Sequence, residues 1–159
     1  AESATDQGEM ISSTRIRHAI ESGQVELANS MLTADYRIRG RVSRGDRRGR
    51  EIGFPTANLV DCDVLLPGPG VFGGRAFVGD SAYDAALHLG PLPTFGQGES
   101  RAEVHLIGYS GDLYGRTLEV ELATRIRDIE RFDDVDALTR QLRHDVRQVK
   151  QWLQDHPRR

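Results

Sequence analysis

The sequence predicts a mainly β fold, a small antiparallel barrel of about six strands followed by one long helix and preceded by a short helical pair. Three observations carry that expectation. Apolar and polar residues alternate from Tyr36 onward, the alternating stretches are joined by short turns with no helix between them, and the last third of the chain changes to apolar spacings of three and four. Strands joined without crossover helices pair antiparallel, and closing them on themselves removes exposed edges.

The elements follow in order. Ser12-Ser13 can cap a helix carrying Ile16, Ala19 and Ile20, and Gly23 stands where that helix should stop. A second helix spans Val25 to Leu32, with Leu27, Met31 and Leu32 as its apolar stripe, and this pair is too small to fold alone. Tyr36, Ile38, Gly40 and Val42 alternate with Arg37, Arg39, Arg41 and Ser43, the period of a half-buried strand. Asn58 to Leu59 ends a further extended stretch. Gly74 to Val78 and Tyr83 to Leu89 flank the turn Gly79-Asp80, and Glu103 to Tyr109 and Thr117 to Ala123 flank Ser110-Gly111-Asp112. Val135, Leu138, Leu142, Val146, Val149 and Leu153 then mark one face of a long helix capped by Asp133 or Asp134, its charges turned to water.

A chain of 159 residues suits one domain with a small appendage, and there is no internal repeat. Lys+Arg 21 against Asp+Glu 24 gives a net charge of -3, so no global attraction to nucleic acid or an anionic membrane is expected and any anion site must be local. The single cysteine, Cys62, excludes an intrachain disulfide framework and a cysteine-rich zinc site, and points to a reducing cytoplasm. No apolar run approaches the ~18 residues of a membrane helix, so no membrane partner is expected. The polar residues 1–8 hold no signal-peptide core and read as a severed linker.

The most informative stretch is Gly53-Phe54-Pro55-Thr56-Ala57-Asn58, entered through the basic loop Gly45-Asp46-Arg47-Arg48-Gly49-Arg50. Proline sets an extended entry, after which Thr56 and Asn58 stand two apart and share a face. A hydroxyl and an amide oxygen are hard donors of the kind Mg²⁺ accepts while bridging phosphates. The loop glycines admit backbone N–H groups to an anion, and the arginines add charged donors. A polar hairpin loop is the plain alternative. Ala102-Glu103-Val104-His105-Leu106 puts Glu103 and His105 on one strand face, where a solvated Glu and a structural His are the commoner outcomes. Leu89 to Gly98 is a proline- and glycine-rich loop of the type that covers sites, or a plain surface connection. Arg125, Arg127 and Arg131 either stack on an aromatic heterocycle or solvate a helix entrance. The five histidines show no metal-ligand spacing, and no Gly-x-Ser-x-Gly nucleophile signature occurs.

Taken together, these motifs resemble the riboflavin kinase module of bacterial bifunctional riboflavin kinase/FMN adenylyltransferase, also called FAD synthetase. The resemblance runs from Ile11 to about Leu153. It includes Ile11 to Arg17, Gly53 to Asn58, Gly70-Val71-Phe72, Pro93-Thr94-Phe95, Glu103 to Leu106, Asp112-Leu113-Tyr114-Gly115 and Arg127 to Phe132, in that order. It implies a six-stranded Greek-key barrel with a C-terminal helix that transfers the ATP γ-phosphate to the riboflavin 5′-hydroxyl, releasing FMN and ADP. By similarity, Thr56 and Asn58 hold Mg²⁺ and the nucleotide phosphates, and Gly45, Arg48, Gly49 and Arg50 close over ATP. Glu103 is the general base, and Arg127, Thr94 and Phe95 serve the flavin.

Residues 1–34 then read as the closing segment of a preceding adenylyltransferase domain with its linker, and residues 35–159 as the kinase domain. No His-x-Gly-His element is present, so FMN adenylylation is expected only of a longer chain. Three features depart from the bacterial pattern: His88 in place of Asn, Pro91-Leu92 before Pro-Thr-Phe, and the middle of Arg127 to Phe132. His88 and the altered segment near Ile129 motivate a rival reading, a flavin- or nucleotide-binding module without catalysis. A second rival is a nucleic-acid-binding barrel using Arg37, Arg39, Arg41, Arg44, Arg47, Arg48 and Arg50, disfavoured by the acidic balance and 6% aromatics.

Overall fold

The computed structural model describes residues 4–6, 9–44, 48–91 and 100–158. Its elements are β1 (Ala4–Asp6), β2 (Glu9–Ile11), α1 (Ser13–Glu21), α2 (Val25–Met31), β3 (Arg37–Ser43), α3 (Arg48–Glu51), β4 (Ala57–Val60), β5 (Gly70–Val78), β6 (Ser81–Pro91), β7 (Ser100–Leu106), β8 (Thr117–Arg127) and α4 (Val135–Asp155). Six strands close into a barrel in the order β3-β4-β7-β6-β5-β8, every pair antiparallel. Strands β5, β6 and β7 form a meander, and β8 returns beside β5, which is the Greek-key order. The expected barrel is thus observed. The small hairpin β1-β2 was not expected, because three residues per strand are too few for alternation to register.

The barrel interior is filled from alternate positions. Ile38, Phe72, Leu87, Leu89, Val104, Leu118, Val120 and Leu122 are all buried there. Helix α1 is capped as expected: Ser12 accepts from Arg15 N at 3.1 Å, and Gly23 takes the left-handed φ of 77° that lets the chain turn.

Helix α2 differs from the predicted stripe. Leu27 is exposed, whereas Val25, Ala28, Asn29 and Met31 are buried. Asn29 is buried because both ends of its amide are used: Nδ2 donates to Leu122 O at 2.8 Å, and Oδ1 accepts from Tyr36 N at 2.7 Å. Glu26 adds a short hydrogen bond from Thr124 Oγ1 and accepts from Arg125 N at 2.7 Å. The pair is docked on β8 by specific polar contacts.

Helix α4 starts at Asp134, whose side chain accepts from Ala137 N at 2.7 Å. Its Val149 packs on β5 at Gly73, where a Cβ would stand 2.9 Å from Val149 Cγ2. A side chain at Gly73 would lift the helix off the sheet.

Candidate functional site

The strand register assembles the site. Ser43 pairs with Asn58, Asn58 with Glu103, Glu103 with His88, His88 with Val71, and Val71 with Arg127. Directly paired residues of an antiparallel sheet share a face. Asn58, Glu103 and His88 therefore form one row around the outside of the barrel, since their chain neighbours Leu59, Val104, Leu87 and Leu89 fill the inside, and Arg127 stands at its end beyond Val71, past a register shift, where it faces α4. Asn58 is 7% exposed, while Glu103 is half-buried and lies 3.3 Å from Arg101 Nη1.

Arg127 is held from the helix side. Its Nε and Nη2 donate to the two oxygens of Asp145 at 2.9 Å each, its Nη1 donates to Asp128 O at 3.0 Å, and Gln141 Nε2 also donates to Asp145 at 2.9 Å. Asp145 is only 2% exposed, and the fork-to-fork pairing offsets the cost of burying it. Arg127 thus ties β8 to α4 beside the row, with its guanidinium 5.8 Å from the Phe132 ring. Burial pushes the His88 imidazole below its ordinary 6.5; the Glu103 carboxylate opposes that shift, Arg127 adds to it, and Asp145 opposes it.

One end of the barrel opens into a cavity of about 320 Å³, lined in part by Val42, Arg44, Arg50, Thr56, Val104 and the β7–β8 loop from Tyr109 to Tyr114. The Arg44 guanidinium lies 4.7 Å from the Tyr114 ring across its mouth. Thr56, exposed, stands on its rim just before β4, and Asn58 and Glu103 follow on the outer face rather than in the lining. Thr56 and Asn58 therefore connect the cavity to the row that holds Glu103. The hydroxyl and amide oxygens are hard donors, and among the described residues no group of three or more His, Cys, Asp or Glu is arranged to hold a metal. Such a donor pair fits a cation that brings its own phosphate ligands and waters.

The remaining expected residues are placed as follows. Gly49 lies in the single turn α3, close enough to Phe54 O that a Cβ would collide with it, and its own carbonyl accepts from Phe54 N at 2.7 Å. That contact holds Gly49 against the Gly53–Asn58 stretch. Arg50 lines the cavity. Gly45, Thr94, Phe95 and the Arg48 side chain lie outside the described residues. Arg125 is spent elsewhere, pairing with Asp128 at 2.6 Å and donating to Pro69 O at 3.2 Å. The β3 arginines of the nucleic-acid reading are matched by acids: Arg37 by Glu119 and Glu121, Arg39 by Asp63 and Glu119, and Arg41 by Asp61.

Sequence reasoning missed Asp145, although a signal was present. It falls on the apolar face of α4 between Leu142 and Val149, three residues from one and four from the other, where a carboxylate needs a partner. The turn Ser110-Gly111-Asp112 and the motif Asp112 to Gly115 were read, but not their place in the cavity lining beside Thr56, from which they are distant in the chain.

The family model for riboflavin kinase, Flavokinase, matches residues 32–153. The bifunctional riboflavin kinase/FMN adenylyltransferase of Bacillus subtilis (strain 168) is 37% identical over 152 residues, which cover 93% of this chain and 48% of that protein. A crystal structure of a macrolide-efflux protein from Streptococcus pneumoniae is similar with a TM-score of 0.88 and 39% identity, over 94% of this chain and 50% of that one. The crystal structure of riboflavin kinase from Trypanosoma brucei shares the fold at a TM-score of 0.55 and 22% identity, over 76% of this chain and 78% of its own. The chain spans about half the length of the curated relatives it matches.

Proposed function

Because this chain belongs to the riboflavin kinase family, we propose that it transfers the γ-phosphate of ATP to the 5′-hydroxyl of riboflavin, giving FMN and ADP. The observation that carries the reading is the register that sets Asn58 directly beside Glu103, with Thr56 two residues upstream on the cavity rim. A nucleotide seated in the cavity would direct its phosphates toward Thr56 and Arg50, with Gly45, Arg48 and Gly49 closing over it. Thr56 and Asn58 would hold Mg²⁺, which when bound neutralises charge on the phosphates. Glu103 accepts the proton of the riboflavin hydroxyl as its oxygen attacks phosphorus, and ADP leaves in line. Positioning and charge neutralisation supply most of the rate enhancement in such a transfer, and the base adds to it. Arg127, Thr94 and Phe95 are assigned to the flavin side, with Arg127 oriented by Asp145.

The longer bifunctional relatives support residues 1–34 as the tail of an adenylyltransferase domain and 35–159 as the kinase domain, with FMN adenylylation belonging to the full-length protein. No described helix is long and apolar enough to cross a membrane, and the cytoplasm is the compartment proposed.

The test is direct. The purified chain, given riboflavin, ATP and Mg²⁺, should form FMN detectable by chromatography, and Glu103→Gln should lower kcat by about 10²–10⁴-fold with ADP binding retained. A folded chain that binds both substrates and makes no FMN would favour the non-catalytic flavin-binding module instead.

A further inference from the structure

We propose that His105 is a positioning residue for this site: it clamps the peptide between Pro55 and Thr56 and so sets the direction of the Thr56 hydroxyl. This rests on the reading of Thr56 as a phosphate and metal ligand.

The need for a clamp follows from the register. The β4–β7 ladder pairs Leu59 with Ala102, Asn58 with Glu103 and Ala57 with Val104. One step further would set Thr56 against His105, but β4 begins at Ala57 and Thr56 lies outside the strand. Pro55 has no N–H with which to extend the ladder. Where backbone pairing stops, a side chain takes over: His105 Nδ1 lies 2.8 Å from Pro55 O. A carbonyl can only accept, so Nδ1 carries the hydrogen in this contact. The ring is further fixed by Phe54, at a centroid distance of 5.5 Å and an interplanar angle of 59°.

The consequence for Thr56 is geometric. The carbonyl of Pro55 and the N–H of Thr56 belong to one planar unit, so holding the oxygen orients the plane from which the Thr56 Cα and side chain project. His105 also stands two residues from Glu103 on the same face of β7. One strand would then carry the base and, through the imidazole, the aim of the metal ligand. Any shift of β7 moves both together.

The test uses three substitutions in this chain. His105→Asn places an amide N–H close to the position of Nδ1, His105→Gln places it nearer that of Nε2, and His105→Leu removes the donor. For each, calorimetry with ADP at varied Mg²⁺ gives the Mg²⁺ concentration for half-maximal binding, and the ¹⁵N–¹H signal of Thr56 reports its peptide plane. Steady-state kinetics separates kcat from the KM for riboflavin, and thermal melting reports the fold.

The Leu and Gln variants should need about 10–100-fold more Mg²⁺, as loss of an orienting contact behind a metal ligand does. Their Thr56 signal should move, kcat should fall, and the KM for riboflavin should stay put, while Asn recovers most of the loss. A Leu variant with native Mg²⁺ dependence overturns the proposal, as does an Asn variant impaired as much as Leu; if Leu does not fold, the contrast between Asn and Gln decides. Thr56→Ala, run alongside, separates the two levels. Native Mg²⁺ dependence in Thr56→Ala removes the underlying ligand reading, whereas a defect there with none in His105→Leu removes only the clamp.

Discussion

Along β7, Ala102, Val104 and Leu106 are 1%, 0% and 5% exposed and face the barrel interior, while Arg101, Glu103 and His105 between them are half-buried on the outer face. The two faces differ in what their partners are. Inner residues meet apolar side chains from every strand, so their contribution is spread over many small contacts and survives modest changes of shape. Outer residues meet single named groups: Asn58 and His88 flank Glu103, and Pro55 O receives His105. Such contacts are directional, and losing one leaves a particular group unmatched. The same ladder thus gives stability from one side and, in the proposed reaction, chemistry from the other.

Three substitutions sharpen that division. Asp145→Ala should have the largest effect on stability, about 3–5 kcal/mol in urea unfolding, because it strands the half-buried Arg127 guanidinium without its carboxylate. If it costs no more than an ordinary surface change, the outer face is not organised around specific partners. Leu87→Ala, on the inner face opposite Val104, should cost about 3 kcal/mol from lost burial and the cavity left behind. The kcat of its folded fraction should hold near native, and a selective loss of turnover would break the division.

The smallest effect concerns pH. The folded His88 binds its proton less readily than the unfolded chain does, so stability is full above the unfolded value of 6.5 and declines as pH falls through that value toward the lower folded one. Stability plotted against pH for the native chain and His88→Asn should run parallel above that point and part below it, the native chain losing more. Curves that stay parallel throughout would remove His88 from the desolvated outer row.

Much of this division is written into the chain. Alternation located the barrel strands, the three-four spacing located α4, and Ser12 and Asp134 capped their helices as read. The Gly53–Asn58 stretch drew notice from residue type and spacing, whereas Glu103 was singled out as a base only by the resemblance. What could not be read was which strand lies beside which: β4 and β7 are far apart in the chain, with β5 and β6 between them, and no turn chemistry fixes their pairing as Gly79-Asp80 fixes β5 with β6. The juxtaposition of Asn58 with Glu103 is therefore a property of closure. Leu27 was misjudged for a related reason, since helix periodicity gives a face but not the depth to which a tertiary partner buries it, and Asn29 is drawn inward by two backbone groups, Tyr36 N just before β3 and Leu122 O on the distant β8.

The amide of Asn29 reaches the start of β3 and the middle of β8 at once, and Val25 from the same helix sits within the barrel's own interior. Peeling α2 away would puncture that interior and uncap two strands in a single event. The helices and the strands should then melt as one cooperative unit, with amide protons of α2 exchanging as slowly as those of the sheet beneath it.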